Sequence, residues 1–173
     1  MNYHNLTYPD QNNGDGLRVV LWLSGCDHHC NHCQNPQTWN PDSGIKFDNK
    51  AFDELFDELE KDYIAGITFT GGDPLHDNNV KEVYELCNII RTKYSNKTIW
   101  LYTGYTFETV LNKQECSIND LYRRNILFLL DVLVDGRFEE DKKDNSYHWA
   151  GSTNQRVINI QETFKQGKII LWH

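Results

Sequence analysis

Three of the five cysteines lie within eight residues, and their spacing constrains the chain more than any other feature of the sequence. Three residues separate Cys26 from Cys30, and two separate Cys30 from Cys33. Both gaps let a looped backbone turn its thiols toward a common point, which iron–sulfur clusters and zinc sites both require. Three cysteines can fill only three of the four iron corners of a [4Fe–4S] cluster. One iron would then be open to a ligand that reacts.

Two alternatives to a cluster stay open at this point. A zinc ion would need a fourth ligand beside the three thiols, and four histidines are candidates: His4, His28, His29 and His32. The thiols could also be reduced cysteines in a loop without a metal. For His28 and His29 themselves we favour the interpretation that they are solvated loop residues.

The size and charge of the chain limit the remaining possibilities. At 173 residues, 39% hydrophobic and 13% aromatic, we expect a single compact domain over residues 1–173. The net charge of -8, without a block of basic residues, matches neither nucleic acid nor an anionic membrane. No apolar run approaches the roughly 20 residues that cross a bilayer, and the N-terminal residues lack the pattern of a signal peptide. We therefore expect a cytoplasmic protein that binds neither nucleic acid nor membrane.

The other two cysteines stand apart from the loop. Cys87 falls on the apolar face of a predicted helix, so we expect it to be a small core residue. Cys116 precedes a predicted helix start at Ser117 and could be exposed. An odd number of cysteines with three of them crowded together does not form a disulfide framework, which agrees with a reduced compartment.

The rest of the chain alternates apolar strands with amphipathic helices, a pattern typical of a parallel sheet covered by helices. We predict strands at 18–24, 66–70, 98–102, 127–134, 156–160 and 169–172. We predict helices at 52–63 with Asp48 as N-cap, at 80–94 and, less regularly, at 106–124. A complete eight-stranded barrel usually needs about 250 residues. The predicted fold is therefore α/β, a partial (βα)6-type barrel with a parallel sheet.

Four segments follow the ends of predicted strands, and we expect them to share one rim. They are the cysteine loop, Gly71-Gly72-Asp73-Pro74, Thr103-Gly104-Tyr105 and Asp135-Gly136-Arg137. In such folds ligands gather at the carboxyl ends of the strands. The two adjacent glycines remove side chains where a ligand could lie against the backbone, and Asp73 offers a carboxylate to a cationic group.

The cysteine triplet after a first strand and Thr-Gly-Gly-Asp-Pro-Leu after a second resemble the motifs of radical S-adenosylmethionine enzymes. Further blocks resemble one family in particular, the glycyl-radical activases of anaerobic ribonucleoside-triphosphate reductases. These blocks are Gly14-Asp15-Gly16-Leu17-Arg18, Ser24-Gly25-Cys26, Asn35-Pro36, Trp39, Gly71-Gly72-Asp73-Pro74-Leu75-His76, and the stretches 99–105, 131–138 and 151–156. The similarity runs from Tyr3 to about Ile158. Asp15 and Ala150 depart from the family pattern, which usually has Pro and Arg there.

The resemblance implies a [4Fe–4S] cluster on Cys26, Cys30 and Cys33, with S-adenosyl-L-methionine on the open iron. The cofactor-binding positions that it implies are His32, Cys33, Gln34, Gly71, Gly72, Asp73, Asp135 and Arg137. Among these, Asp73 would receive the ammonium of the cofactor. Asp135 and Arg137 resemble an Asp-x-Lys pair of related activases, with Arg in place of Lys. No protein side chain is assigned a catalytic role, because the cofactor carries the hard step.

The implied function is reductive cleavage of S-adenosylmethionine to a 5′-deoxyadenosyl radical, which makes a glycyl radical on another protein. The implied partner is the large catalytic subunit of an anaerobic ribonucleoside-triphosphate reductase, with a one-electron donor such as a flavodoxin, and the resemblance leaves room for a homodimer. One rival is a radical enzyme that acts on a small molecule, which the lack of a separate substrate domain disfavours. The other is a zinc-binding interaction module without chemistry, which iron and sulfide analysis would distinguish.

Overall fold

The computed structural model describes residues 1–113 and 117–173. Its strands are β1 (Asn2–Asp10), β2 (Leu17–Leu23), β3 (Ile45–Lys46), β4 (Ile64–Gly71), β5 (Thr98–Tyr102), β6 (Val132–Asp135) and β7 (Arg156–Asn159). Its helices are α1 (Asn49–Leu59), α2 (Val80–Lys93), α3 (Phe107–Leu111), α4 (Ile118–Leu129) and α5 (Ile160–Gln166). Short 3₁₀ turns lie at Pro36–Thr38 and Glu140–Lys142. No helix within the described residues is long and apolar enough to cross a membrane.

The strands form one seven-stranded sheet in the order β3-β1-β2-β4-β5-β6-β7. The central four, β2, β4, β5 and β6, are parallel, as the alternation of strands and helices predicts. The outer strands run the other way: β1 is antiparallel to β2 and β3, and β7 is antiparallel to β6. The α/β class and the parallel core are thus confirmed. The predicted partial (βα)6-type barrel is not confirmed, because the sheet does not close and only four of its seven strands are parallel.

The two faces of the sheet bury different kinds of residue, because successive side chains of a strand point to opposite faces. One face carries Leu21, Phe69 and Leu101, which pack with the apolar sides of α1, α2 and α4 into the main core. Cys87 of α2 is fully buried there, as predicted. The other face carries Trp100 and the valines of β6, and loop residues cover it in place of helices.

A buried cation lies on this second face. The Arg18 side chain is fully buried, and its five hydrogen bonds go to hydroxyl and carbonyl oxygens, among them the Thr68 hydroxyl and the Thr98 carbonyl. Its guanidinium also lies 5.3 Å from the centre of the Trp100 ring. Burial lowers the pKa of Arg18 to about 10. Satisfying every donor compensates the cost of removing this charge from water.

Side-chain caps begin four of the five helices of the described residues, including α3, where the Thr106 hydroxyl accepts from Thr109 N. The Asp48 carboxylate accepts a hydrogen bond from Ala51 N at 3.0 Å, which confirms the predicted start of α1. Ser117 and Asp120 form a capping box at the start of α4, so the predicted helix start at Ser117 is also confirmed. Asn159 caps α5, a helix that the sequence pattern did not predict. Cys116 lies outside the described residues.

The apolar run 127–134, predicted as one strand, is divided between two elements. Residues up to Leu129 complete α4, and β6 begins only at Val132. The intervening Asp131 accepts hydrogen bonds from Ile99 N at 2.7 Å and from Arg91 at 2.6 Å, which fixes the chain between helix and strand. A continuous apolar run cannot distinguish a buried helix end from a buried strand by periodicity alone.

Other differences lie at the edges of the sheet. Strand β1 was not predicted, because its nine residues are mostly polar and only Tyr3 is buried. The helical stretch predicted at 106–124 is two helices, α3 and α4. The strand predicted at 169–172 is reduced to a single bridge between Leu171 and Ile158. Edge segments carry a weak hydrophobic pattern, since only part of each is covered.

Candidate functional site

A cavity of about 220 Å³ opens at the carboxyl ends of the parallel strands. Its lining comes from all four strand-following segments that were expected to share a rim. The residues that line it are Asn13, Trp22, Cys26, His28, Cys30, Cys33, Gln34, Asn35, Thr70, Gly71, Gly72, Asp73, Tyr102, Thr103, Gly104, Gly136, Arg137, Phe138, Gly151 and Gln155. The prediction of one shared rim is therefore confirmed.

The cysteine loop is held at its start by backbone hydrogen bonds. Gly25 N and Cys26 N donate to the carbonyls of Thr38 and Trp39, at 2.7 and 3.1 Å. Within the loop, Cys33 N donates to the Cys30 carbonyl at 3.1 Å. These bonds leave all three thiols partly exposed on the wall of the cavity.

The arrangement of the three thiols bears on the choice between a single metal ion and a cluster. In residues 1–113 and 117–173, no three His, Cys, Asp or Glu side chains converge closely enough to hold one metal ion. The cysteines of a [4Fe–4S] cluster bind separate irons, so their sulfurs need only line a common space, as they do here. Burial raises the pKa of Cys26 to about 11 and also raises that of Cys30. A coordinated metal reverses this effect, because a coordinating thiol is deprotonated.

The histidines proposed as zinc ligands are scattered. His4 lies on β1 and is hydrogen-bonded to the Ser43 hydroxyl at 2.8 Å. His29 is exposed and packs edge-on against Trp39, so its interpretation as a solvated residue is confirmed. His32 is also exposed, with 67% of its side chain accessible and Glu140 at 3.8 Å as its nearest charged partner. His28 alone of these residues lines the cavity.

The interpretation of His28 as a solvated residue is wrong. Only 7% of its side chain is exposed, and its Nε2 lies 2.7 Å from Oδ2 of Asp73. The ring packs edge-on against Tyr105, with 4.6 Å between ring centres. His29, the next residue, has a φ of 45°, so the backbone turns there, and its side chain is exposed whereas that of His28 is nearly buried.

Both glycines of the Gly-Gly-Asp-Pro turn line the cavity, but their missing side chains serve the packing of the protein itself. A Cβ on Gly72 would lie 2.5 Å from the Gly25 carbonyl oxygen, and one on Gly71 would lie 2.7 Å from Leu23 N. Gly71 also has a φ of +98°. The space that we attributed to a ligand is therefore taken on this side by the end of β2 and the start of the cysteine loop.

Asp73 lies at the centre of a hydrogen-bond network. Its carboxylate is 2% exposed and accepts from Leu75 N at 2.8 Å, the Thr103 hydroxyl at 2.9 Å, Gly104 N at 3.1 Å and His28. Its backbone carbonyl accepts from the buried Asn79 amide, which also donates to the Ser24 carbonyl. Asp73 thus joins the turn, the end of β5 and the cysteine loop.

The Asp135-Gly136-Arg137 segment is split between the two sides of β6. Arg137 lines the cavity and donates from Nε to Nδ1 of His28 at 3.2 Å. The Asp135 carboxylate is 1% exposed and faces α3, where it accepts from Phe107 N at 2.8 Å and from Arg156. The structure therefore brings Arg137 to the cavity together with Gln34, and it leaves Asp135 and His32 outside its lining.

Several cavity residues went unnoticed in the sequence. Trp22, Thr70 and Tyr102 are the last residues of their strands to face away from the helices. Their two-residue alternation with the core positions was a signal that could have identified them. Asn13 and Gln155 come from loops, where no periodicity exists to predict which side chains face inward.

Comparison with known proteins gives a consistent result. Residues 12–158 match the family model described as a 4Fe-4S single cluster domain. The chain is 39% identical to the anaerobic ribonucleoside-triphosphate reductase-activating protein of Enterobacteria phage T4, over 91% of this chain and 93% of that protein. It is 39% identical to the protein of the same name from Escherichia coli K12, over 93% and 100% of the two chains. The Pasteurella multocida protein of that name is 38% identical, over 94% and 99%.

Proposed function

This chain belongs to the family of anaerobic ribonucleoside-triphosphate reductase-activating proteins, and from that premise we propose that it is a radical S-adenosylmethionine activase. Its reaction is the reductive cleavage of S-adenosylmethionine, and its product is a glycyl radical on an anaerobic ribonucleoside-triphosphate reductase. One observation carries the proposal. Three thiols and the Gly-Gly-Asp-Pro turn, far apart in sequence, line one cavity at the carboxyl ends of parallel strands.

In this proposal Cys26, Cys30 and Cys33 each hold one iron of a [4Fe–4S] cluster, and the fourth iron is free for the cofactor. When bound, the cluster and S-adenosylmethionine would together supply the one-electron reductive cleavage and the abstraction of a hydrogen atom from glycine. The protein's own part is to hold both groups and to limit the access of water. Trp22 and Tyr102 form apolar walls of the cavity that serve this purpose.

The residues proposed to bind the cofactor surround these thiols. Gln34 and Arg137 both line the cavity and offer an amide and a cation. Backbone groups of Gly71 and Gly72 are proposed to receive the methionyl end, and Asp73 its ammonium. Because the Asp73 carboxylate already accepts several protein hydrogen bonds, the ammonium would share it with His28. His32 and Asp135 act in this scheme only from outside the cavity lining.

The proposed substrate is a glycine near the C-terminus of the large reductase subunit, and the proposed reductant is a one-electron donor such as a flavodoxin. Glycine suits the reaction because it has no side chain to obstruct its approach to a recessed radical. The chain carries a net charge of -8, so we expect the docking surface of the partner to present positive charge.

The test is anaerobic reconstitution with iron and sulfide, followed by chemical analysis and paramagnetic resonance. We expect about four irons and four sulfides per chain. With reductant and S-adenosylmethionine we expect methionine and 5′-deoxyadenosine, and with the reductase subunit a glycine-centred signal. Replacement of the partner's C-terminal glycine by alanine should abolish that signal. A chain that binds zinc in place of iron, or that cleaves the cofactor without ever giving the signal, would contradict the proposal.

A further inference from the structure

The side chain of His28 attaches the middle of the cysteine loop to the rest of the site. Backbone hydrogen bonds hold the start of the loop: Gly25 N and Cys26 N donate to the carbonyls of Thr38 and Trp39, and Asp73 N donates to the Gly25 carbonyl at 2.7 Å. Beyond Cys26, the 2.7 Å contact of His28 with Asp73 is shorter than the other side-chain contacts that the segment makes with the rest of the site. Those contacts are Arg137 with His28 at 3.2 Å, Asp27 with His76 at 3.4 Å and His32 with Glu140 at 3.8 Å.

The hydrogen bonds of His28 fix the direction of each donor. A guanidinium has N–H donors and no acceptor, so Arg137 must donate and Nδ1 of His28 must accept. The ring proton therefore lies on Nε2, which donates to the Asp73 carboxylate. A hydrogen bond to an ionised acceptor is roughly twice as strong as a neutral one. His28 thus connects the end of β6 with the turn after β4.

The sequence also reserves space for the ring. A Cβ on Gly104 would lie 2.3 Å from Cδ2 of His28, so a side chain larger than hydrogen at position 104 would displace the imidazole. On the other side, the ring packs against Tyr105. The ring therefore occupies a fitted site between the cysteine loop and the end of β5.

We propose that His28 is a positioning residue, which fastens the cysteine loop to the Asp73 turn and so fixes the thiols relative to the S-adenosylmethionine-binding turn. This inference rests on the proposed function. The thiols lie on the loop, and the glycines lie on the turn that His28 contacts through Asp73. If this contact is broken, the cluster can still form on its three cysteines, but its open iron is no longer held at a fixed place relative to the turn.

The experiment measures S-adenosylmethionine binding by anaerobic calorimetry on the reconstituted holoprotein. The variants are His28→Ala, His28→Gln and His28→Asn, with His29→Asn as the exposed control. The amide nitrogen of Gln reaches about as far as Nε2 and can donate to Asp73, whereas the amide of Asn ends near the position of Nδ1. We expect the affinity to fall about tenfold or more in His28→Ala, as the loss of a hydrogen bond to a charged group implies. Gln should restore it, and Asn should not.

Affinity in His28→Ala within twofold of the wild type would overturn the proposal. So would equal rescue by Asn and Gln, because Asn cannot reach Asp73. If a His28 variant loses iron, its iron content per chain is measured in place of its affinity. We expect His28→Gln to retain more iron than His28→Asn and His28→Ala. An equal loss of iron in all three variants would contradict the proposal. Failure of the proposed function itself would appear in the wild type, which would then not bind the cofactor.

A double-mutant cycle with Gly104 gives a second test, from the other side of the contact. Gly104→Ala should displace the ring and weaken cofactor binding nearly as much as His28→Ala does. In the His28→Ala background the space is empty, so Gly104→Ala should add little further loss. Strict additivity of the two losses would show that Gly104 acts without His28 and would contradict the fitted site.

Discussion

The two faces of the sheet differ in how they are built, although the same strands supply both. The face toward α1, α2 and α4 is apolar throughout, and fully buried side chains such as Leu21, Phe69 and Leu101 fill it. The opposite face contains a buried cation, hydroxyl groups and a tryptophan, and loops cover it. At the carboxyl ends of the strands, this second face forms a wall of the cavity.

The difference shows where the chain carries stability and where it carries chemistry. The helix-covered face buries apolar surface, which is the main favourable term in folding. The loop-covered face holds polar groups that must each find a partner, as Arg18 does, and this requirement makes it specific in geometry. If this division is correct, substitutions on one face should change stability alone, and those on the cavity side should change cofactor content or binding.

Cysteines on the two sides give the largest expected contrast. Cys30→Ala removes one of the three proposed cluster ligands and should abolish both the cluster and radical formation. Cys87→Ala, on the buried face of α2, should retain full iron content and lose only about 1 kcal/mol of stability. Iron analysis and denaturant unfolding of both variants provide the measurement. A Cys30→Ala protein with normal [4Fe–4S] absorbance would refute the ligand assignment.

Phe69→Ala tests the apolar face. The side chain is fully buried on β4, so its loss should lower the free energy of unfolding by about 3–5 kcal/mol. Because Phe69 points away from the cavity, the affinity of the folded, reconstituted protein for S-adenosylmethionine should not change. Urea titration and calorimetry measure the two quantities separately. A substantial loss of affinity would break the division between the faces.

Gly72→Ala sharpens the boundary between the turn and the cysteine loop. Its Cβ would lie 2.5 Å from the Gly25 carbonyl, next to Cys26, so we expect lower iron retention as well as weaker cofactor binding. Gly167→Ala is a matched control at the end of α5, where φ is +66° but nothing lies within 4 Å of the added methyl group. The control should lose about 1–2 kcal/mol of stability and no iron. If Gly72→Ala keeps all of its iron and loses only the cofactor, the ligand-based explanation of Gly72 is restored.

The smallest effect concerns the ion pair that joins α3 to β7. The hydrogen bond from Arg156 lowers the pKa of Glu108 below its usual value of 4.5. A depressed pKa means that the pair stabilises the fold above about pH 4.5 and that this contribution disappears as the pH falls through the folded-state value. Glu108→Gln should therefore cost at most about 1 kcal/mol at pH 7, since the pair is half-exposed, and nothing in acid. Urea unfolding at pH 7 and in acid is the measurement. If Glu108→Gln lowers the free energy of unfolding equally in acid, the ion pair is not the source of the stability.

The sequence predicted the parts of this molecule whose pattern is strong and local. Strand β5 was predicted with its observed bounds, and Asp48 was identified as a cap, because an apolar run and a capping side chain each act over a few residues. The shared rim was also predictable, since parallel strands place their carboxyl ends together. The glycine turn was located correctly, but its steric reason was not, because the contact of Gly72 with Gly25 joins residues distant in sequence.

The role of His28 could not be predicted for the same kind of reason. His28 lies 45 residues from Asp73 and 109 residues from Arg137 along the chain. Contacts between residues so far apart produce no periodic pattern in the sequence. Its neighbour His29 has the same side chain and is exposed, so composition could not distinguish the two. The antiparallel strands at the edges of the sheet were not predicted. The direction of a strand depends on its connections and on the strands it pairs with, and the sequence of one strand contains neither.

The order of the strands also bears on how the protein is made. Apart from β3, the sheet is arranged in chain order from β1 to β7, so each new strand can add to an edge that already exists. Such sequential growth favours folding from the N-terminus during synthesis. The cysteine loop emerges early, whereas the cavity wall at Gly136 and Arg137 comes more than one hundred residues later. We therefore expect the thiols to stay unshielded until most of the chain has been synthesised, and on the proposed function we expect cluster insertion to follow.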